Sequence, residues 1–595
     1  MGFQQSNQYT LRTGVDVADA RVTDWQAIER PKPNTWRGNP SINDEATGLS
    51  SPLIGGVREL SDYVREFNSD FFVNFNKDFL KDFNVTGFVG YNYNDRESRR
   101  HVSQITDLTI PGYYNITNTG SSPVTTATLN HRRLMGVFAQ AAISYKDFLF
   151  VTASARNDWS STLPINKNSY FYPGVNTSIL VNKIADLSGA GISFLKVRGS
   201  IGKTGKDAPE YSLLSTGVAG NASLGFGNII FPLGGVSAFE VGNIIGNNTL
   251  QPELTTEYEA GLEMGFLKGR LGFDITYYNK RTKGQILNVP IAASTGYLSL
   301  VQNFGLVENT GIELSVNITP VKSKDFTWTI NYTYTKNRNK VLELPAGLDK
   351  VDFNSSYDIK MVARVGQPIG IIEAPGKVIT SDGKAVVNSA GFFVQSPDDE
   401  MYGNVQRNFM MGLNNNFAYK NWSLGFNFDY RNGGYFVSRT ADLTYFVGNA
   451  WLTQYNDRRP FIIPNSVVQT GTDAQGKPSY AENTHPIIMT DVDDYWYHTT
   501  NQVNSWKNTI LPKDFIKLRD ITLSYRLPEA WAGKIKASAI TLSAIGRNFL
   551  VWVPKENTFI DPEVTNLGND LVGEFGEQAG SATSKSYGVS LKISF

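Results

Sequence analysis

A chain of 595 residues with zero net charge, no cysteine and 12% aromatic residues is too long for one ordinary hydrophobic core, so several domains or one very large barrel are required. Zero net charge offers no basic field for nucleic acid. Without cysteine there is no disulfide framework, thiolate metal site or cysteine nucleophile. No apolar run approaches the ~20 residues of a membrane helix, so any membrane span has to be built from strands.

The opening, MGFQQSNQYTLRTGVD, carries neither the charged nor the apolar region of a signal peptide. An exported barrel needs one, so the true beginning is expected elsewhere. Residues 8–16 read as a first strand, followed by a Pro-, Gly-, Asn- and Ser-rich loop to Asn68. Asp70–Phe79 and Phe83–Tyr93 then form a hairpin, and Arg133–Tyr145 pairs with Phe148–Asn157 across Lys146–Asp147. Tyr170–Val181 and Phe194–Gly202 follow.

The unit is clearest in Thr255–Lys280, which splits at Lys268–Gly269. Tyr258, Ala260, Leu262, Met264 and Phe266 alternate with Glu257, Glu259, Gly261, Glu263 and Gly265. In the second run Leu271, Phe273, Ile275 and Tyr277 alternate with Gly272, Asp274, Thr276 and Tyr278. Period-two alternation marks two strands of a hairpin. A packed core would not accept Glu257, Glu259, Glu263 and Asp274 unpaired. A wet interior and an apolar exterior define a transmembrane barrel instead.

Asn309–Thr319 with Phe326–Lys336 and Gln406–Tyr419 with Trp422–Asn432 repeat the pattern. Phe515–Leu527, Ala537–Phe549 and Ser586–Phe595 complete sixteen strands, while 337–405 and Gly433–Asp514 read as irregular. Short and long connections alternate throughout, which is the arrangement of short periplasmic turns and long outer loops. Trp328 and Trp422 are expected in the aromatic girdle or facing lipid. The loops vary too much in length for a propeller or solenoid.

In the last strand Tyr587, Val589, Leu591, Ile593 and Phe595 alternate with Gly588, Ser590, Lys592 and Ser594. This ending is similar to the C-terminal assembly signal of outer-membrane barrels. Asn76–Phe83 (NKDFLKDF), Ile110–Ser122 (IPGYYNITNTGSS), Ala155–Ser161 (ARNDWSS) and Phe194–Gly205 (FLKVRGSIGKTG) extend the likeness. So do Leu250–Glu257 (LQPELTTE), Phe304–Ile312 (FGLVENTGI) and Ile545–Val553 (IGRNFLVWV). In this order they resemble the SusC-like TonB-dependent transporters of the Bacteroidetes. The resemblance implies an all-β transmembrane antiparallel barrel, with residues 1–595 supplying about 16 strands of a 22-stranded whole. Signal peptide, TonB box, plug and first strands would then precede residue 1 or belong to a separate N-terminal polypeptide. It also implies an outer-membrane location, a SusD-like lipoprotein lid, coupling to TonB, and oligosaccharides or peptides as substrates. No cofactor is implied.

Other chemistry is weak in the sequence. VRGSIGKTGK (Val197–Lys206) contains Gly-Lys-Thr, but Val197 replaces the first P-loop glycine and no helix pattern follows. His101, His131, His485 and His498 have no metal-ligand spacing, and Asp491, Asp493 and Asp494 lack the EF-hand glycine. No nucleophile elbow or assignable Ser/His/Asp grouping occurs, so an enzyme is not expected. In the longest loop Trp451, Tyr455, Tyr495, Trp496, Tyr497 and Trp506 cluster near Asp and Asn. Flat rings beside polar groups suit sugars or peptide side chains; packing of the loop or a partner lid is the competing reading. Mixed, weakly charged loops favour a neutral polymer. The alternative function is a passive, sixteen-stranded porin-like channel, distinguished from a transporter by the absence of an upstream TonB box and plug.

Overall fold

The computed structural model describes residues 12–16 and 57–595 except 80, 106–108, 111–112, 121, 220, 225–226, 231–234, 346, 357, 489–505, 566, 568–570 and 581–582. One seventeen-stranded sheet dominates it. One member, Ile244–Ile245, is a short parallel addition beside Ser299–Leu300. The other sixteen form an antiparallel meander in chain order. They are β1 (Arg12–Asp16), β2 (Val57–Phe79), β3 (Phe83–Ile105), β4 (Val124–Tyr145), β5 (Leu149–Ser160) and β6 (Ser169–Leu180). Then come β7 (Ile192–Lys206), β8 (Glu253–Phe266), β9 (Leu271–Pro290), β10 (Ser299–Lys322) and β11 (Phe326–Glu343). The last are β12 (Phe409–Tyr419), β13 (Trp422–Asn432), β14 (Phe515–Arg526), β15 (Ala539–Trp552) and β16 (Ser586–Ser594). Among the described residues β1 pairs only with β2 and β16 only with β15, so the sheet is an unclosed barrel wall.

The alternation in sequence is the alternation of solvents. On β2 and β3, Phe71, Val73, Phe75, Val89 and Tyr91 are exposed on one face, as lipid-facing side chains must be. The other face is polar and cross-linked: Asn92 Nδ2 donates to Asp70 and Asn68, and Asn94 Nδ2 donates to Glu66. Register sets Glu263 opposite Asp274 and Gly261 opposite Thr276 on β8 and β9, with Lys196 and Arg198 on the adjoining β7. Arg198 donates to both Asp274 oxygens at 3.0 and 2.6 Å and to Thr276 at 2.6 Å. Lys196 reaches Glu263 at 3.7 Å. Gly261 makes room for this cation, since a Cβ there would lie 2.5 Å from Arg198 Nε.

The short turns bear the aromatic rim. Lys146 and Asp147 take left-handed φ of 47° and 52°, which closes a tight hairpin. Trp422, half exposed, lies 4.6 Å from the Tyr525 ring. Trp328 stacks on Phe417 at 5.4 Å and donates to buried Asn415. Gly202–Thr204 lie inside β7 rather than in a phosphate loop, and Tyr170 packs where a Gly205 Cβ would stand.

Two expectations are corrected. Several strands run far beyond their apolar stretch: β2 and β3 have 23 residues each, about twice the 9–11 needed to cross a bilayer. Their outer halves carry Arg65, Glu97, Arg99, Arg100 and Asp62 in ion pairs, because water bathes both faces there. The described residues of 337–405 and 433–514 are also not irregular. They build a four-stranded sheet (Lys350–Ser356, Ile359–Arg364, Ile371–Lys377, Gln395–Asn404), a three-stranded sheet, a second one completed by Gly576–Glu577 of the last loop, and the helix α1 (Arg439–Phe446). Met361, Ile372, Val405, Val437 and Ile487, with Phe575 of the last loop, form their common buried core. The long-loop rim is therefore a folded layer.

Candidate functional site

The loop layer meets the barrel wall through the apolar cluster of Phe304, Val307 and Val341 with Val351, Ala363 and Ile369, and on its other side it is held by charge. In β13 the residues Asn427, Asp429 and Arg431 alternate with the outward Phe426, Phe428 and Tyr430, so they line the lumen. An amide and carboxylate ribbon crosses four strands there: Asn331 donates to Asn414 and Asn427 to Asp520, with Asn414 donating to Asn427 between them. Above it, Lys517 of β14 pairs with Asp561 and Glu563, and Arg519 pairs with Glu563 and Asp429. Asp561 and Glu563 belong to the last long loop, 553–585. Burial works to raise both carboxyl pKa values, but hydrogen bonds from Lys517 and Arg519 hold them below the usual range.

A second tie fixes α1. Ser438 caps it, accepting from the Ala441 amide at 3.0 Å while donating to Glu577 at 2.7 Å. Buried Glu577 also accepts from the Thr440 amide and hydroxyl. A carboxylate at a helix N-terminus satisfies orphan amides and opposes the helix dipole favourably. This joins loop 553–585 to loop 433–514.

Between these loops lies a cavity of about 940 Å³ walled by Tyr402, Tyr435, Tyr445, Trp451, Leu452 and Phe559, with Lys507, Lys555 and Glu556 among its polar lining. The Tyr445 ring sits 5.6 Å from that of Phe559. Burial pushes the Tyr402 and Tyr445 phenols up to about 12, so both remain neutral donors near neutral pH. Trp451 is 66% exposed and Tyr435, whose ring packs over Gly403, is 40% exposed. Apolar walls with a few polar groups are what solute sites offer.

Of the six aromatics singled out in the sequence, Trp451 lines this cavity. Tyr455 does not; its ring packs edge-on against Phe461 at 5.1 Å. Trp506 opens the short helix Trp506–Thr509. Tyr495, Trp496 and Tyr497 lie outside the described residues, as do His498 and Asp491, Asp493 and Asp494. Sequence reasoning missed Tyr402, Tyr435, Tyr445 and Phe559. They come from three separate loops, and no local pattern brings them together.

Lipid-facing strands, a polar wall and a folded outer layer define an outer-membrane β-barrel protein. Comparison with known proteins narrows this class. Residues 2–366 match the family model described as TonB dependent receptor-like, beta-barrel, and the chain belongs to that family. TonB-dependent receptor P3 of Formosa agariphila is 25% identical over 481 residues, covering 74% of this chain and 43% of the relative. TonB-dependent receptor SusC of Bacteroides thetaiotaomicron is 27% identical over 320 residues, 51% of this chain and 31% of its own length. The chain thus spans less than half the length of these curated relatives. Among solved structures, that of the RagAB peptide transporter superposes with a TM-score of 0.68 at 17% identity, over 91% of this chain and 56% of the other. The SusC-like likeness seen in the sequence is borne out.

Proposed function

We propose that this chain is the barrel portion of an energised outer-membrane importer that takes an oligosaccharide or peptide with a SusD-like lipoprotein as lid. The observation that supports it most is the aromatic cavity in the folded loop layer, on a wall belonging to the TonB-dependent receptor family. In this reading the solute is first held by rings such as Trp451 and Tyr435. It then passes the polar ribbon of the lumen when TonB acts on a plug. The edges at β1 and β16 meet strands supplied from outside these sixteen, since unpaired backbone in hydrocarbon costs several kcal/mol per group. The protein is not read as an enzyme.

The test is uptake of labelled oligosaccharides and peptides by cells with and without the gene, repeated after collapse of the proton gradient. Import that stops when the gradient collapses supports the reading, as does a lipoprotein that copurifies with the barrel. Gene-dependent uptake that persists without the gradient would instead establish the passive channel, which the family match does not favour.

A further inference from the structure

Beside the aromatic cavity, across the strand Tyr435–Ser438, is a second cavity of about 290 Å³ with a different lining. Tyr435 belongs to the first and Phe436 to the second. The smaller cavity is lined by Arg407, Arg431 and Lys513, with Glu563 and Glu574 as its carboxylates. Glu563 is engaged by Lys517 and by both Nη atoms of Arg519. That leaves Glu574 as the carboxylate hydrogen-bonded to Lys513 and Arg431, with Glu563 acting on Arg431 only through space. Glu574 accepts from Lys513 at 2.6 Å and from Arg431 at 3.1 Å.

The surplus is buried. Lys513 is 3% exposed and Arg431 6% exposed, and the Arg431 Nε proton has no hydrogen-bond partner. Arg407 stands exposed at the same cavity, and among the described residues it has no carboxylate partner; its hydrogen bond goes to the Met410 sulfur. Buried cations without counter-charge are costly, and an arriving anion removes that cost. The Lys513 ammonium registers the cost: burial, only partly offset by Glu574, pushes its pKa down to about 8. Arg431 projects from the lumen face of β13, so the site lies on the path between loop layer and barrel interior. Arginine is also the side chain whose planar fork matches a carboxylate.

We propose that Arg407, Arg431 and Lys513 form a binding site for a carboxylate group carried by the imported solute. The site rests on the importer reading above, and it replaces the neutral polymer favoured by loop composition with an acidic one. Two sources present the same group: a uronic acid in a glycan, and the C-terminal carboxylate of a peptide. Size permits only the acidic end of either, since the cavity is a third the volume of its aromatic neighbour. The rings then hold the body of the solute.

Calorimetry on the full transporter with its lid tests this with two matched pairs of probes. One pair is trigalacturonate and its carboxyl-reduced neutral form; the other is a hexapeptide with a free C-terminal carboxylate and the same peptide amidated. The acid of one pair should bind at least tenfold more tightly than its neutral match, and the pair that does so identifies the source. Arg407→Gln, at an exposed position that does not threaten folding, should erase that difference; Lys513→Met should do the same if the variant assembles. Equal affinities within both pairs, no binding by either acid, or a preference surviving Arg407→Gln would overturn the proposal. Gradient-dependent uptake is scored separately: energised uptake without acid preference refutes the carboxylate site alone, and absence of energised uptake refutes the importer reading.

Discussion

Lys517→Met removes one of the cations that tie loop 553–585 to the wall. Lys517 is 2% exposed and sits between Asp561 at 2.5 Å and Glu563. Stripping one partner from a buried ion pair costs about 3–5 kcal/mol, because the remaining charge is left uncompensated. Here the lower end applies: Arg519 still holds Glu563, and Asp561 keeps the Thr583 hydroxyl and the Glu563 amide. A loss of about 3 kcal/mol raises the open fraction of the loop roughly a hundredfold. Amide hydrogen exchange across 553–585 in the purified full transporter reads this directly, with β13 and β15 amides as internal reference. Acid gives a second reading. Both carboxyl pKa values lie below normal in the folded state, so their contribution is complete above about pH 5 and fades as pH falls further. Wild-type loop protection should therefore drop in acid, and Lys517→Met should flatten that dependence. If exchange in 553–585 is unaltered by the substitution, the latch carries no load and the reasoning fails.

Three further outcomes follow from the geometry. Trp451→Ala should weaken solute binding about fivefold, the worth of one ring contact near 1 kcal/mol, whereas Tyr455→Ala, whose ring packs on Phe461, should leave calorimetric affinity unchanged. Val89→Arg places a charge on the lipid face at about 2–4 kcal/mol near the bilayer midplane; heat-modifiable gel migration should show lost assembly, while Thr86→Arg on the lumen face assembles. Gly305→Ala would drive a Cβ into the Glu343 carbonyl oxygen, whereas the nearest atom to a Cβ at Gly272 is 3.9 Å away. The first variant should lose folded barrel in the outer-membrane fraction and Gly272→Ala should not.

Sixteen strands are legible in the sequence because lipid and lumen impose opposite demands on neighbouring residues. Leu271, Phe273 and Ile275 against Gly272, Asp274 and Thr276 needs no structure to be read. The signal stops where lipid stops. The outer half of β2, VRELSDYVRE, has water on both sides, so neither face need be apolar and the strand passes for loop. The aromatic cavity is illegible for another reason: Tyr402, Tyr435, Trp451 and Phe559 share a wall only after three loops fold together. Trp451, which lines the cavity, and Tyr455, whose ring lies against Phe461, are both selected by the same crowding of rings in their loop.

The two parts of the molecule answer to different stabilising forces, and that bears on how it works. The wall gains from backbone ladders in hydrocarbon, where no water competes for unpaired groups. The loop layer is an aqueous fold with its own apolar core around Met361, Ile372 and Phe575. Side-chain charge at Lys513, Lys517 and Arg519 binds one to the other on the side of the last loop, while an apolar cluster of Phe304, Val307 and Val341 with Val351, Ala363 and Ile369 joins them on the side of β10 and β11. Buried ion pairs add little net stability over an apolar match, yet they are costly to break one partner at a time. Such a junction is stiff while intact and can be re-paired by an incoming anion without disturbing either hydrophobic core. An acidic solute that competes with Glu574 for Lys513 and Arg431 would act on that junction rather than on the barrel. Recognition and movement of the last loop would then draw on the same few charges.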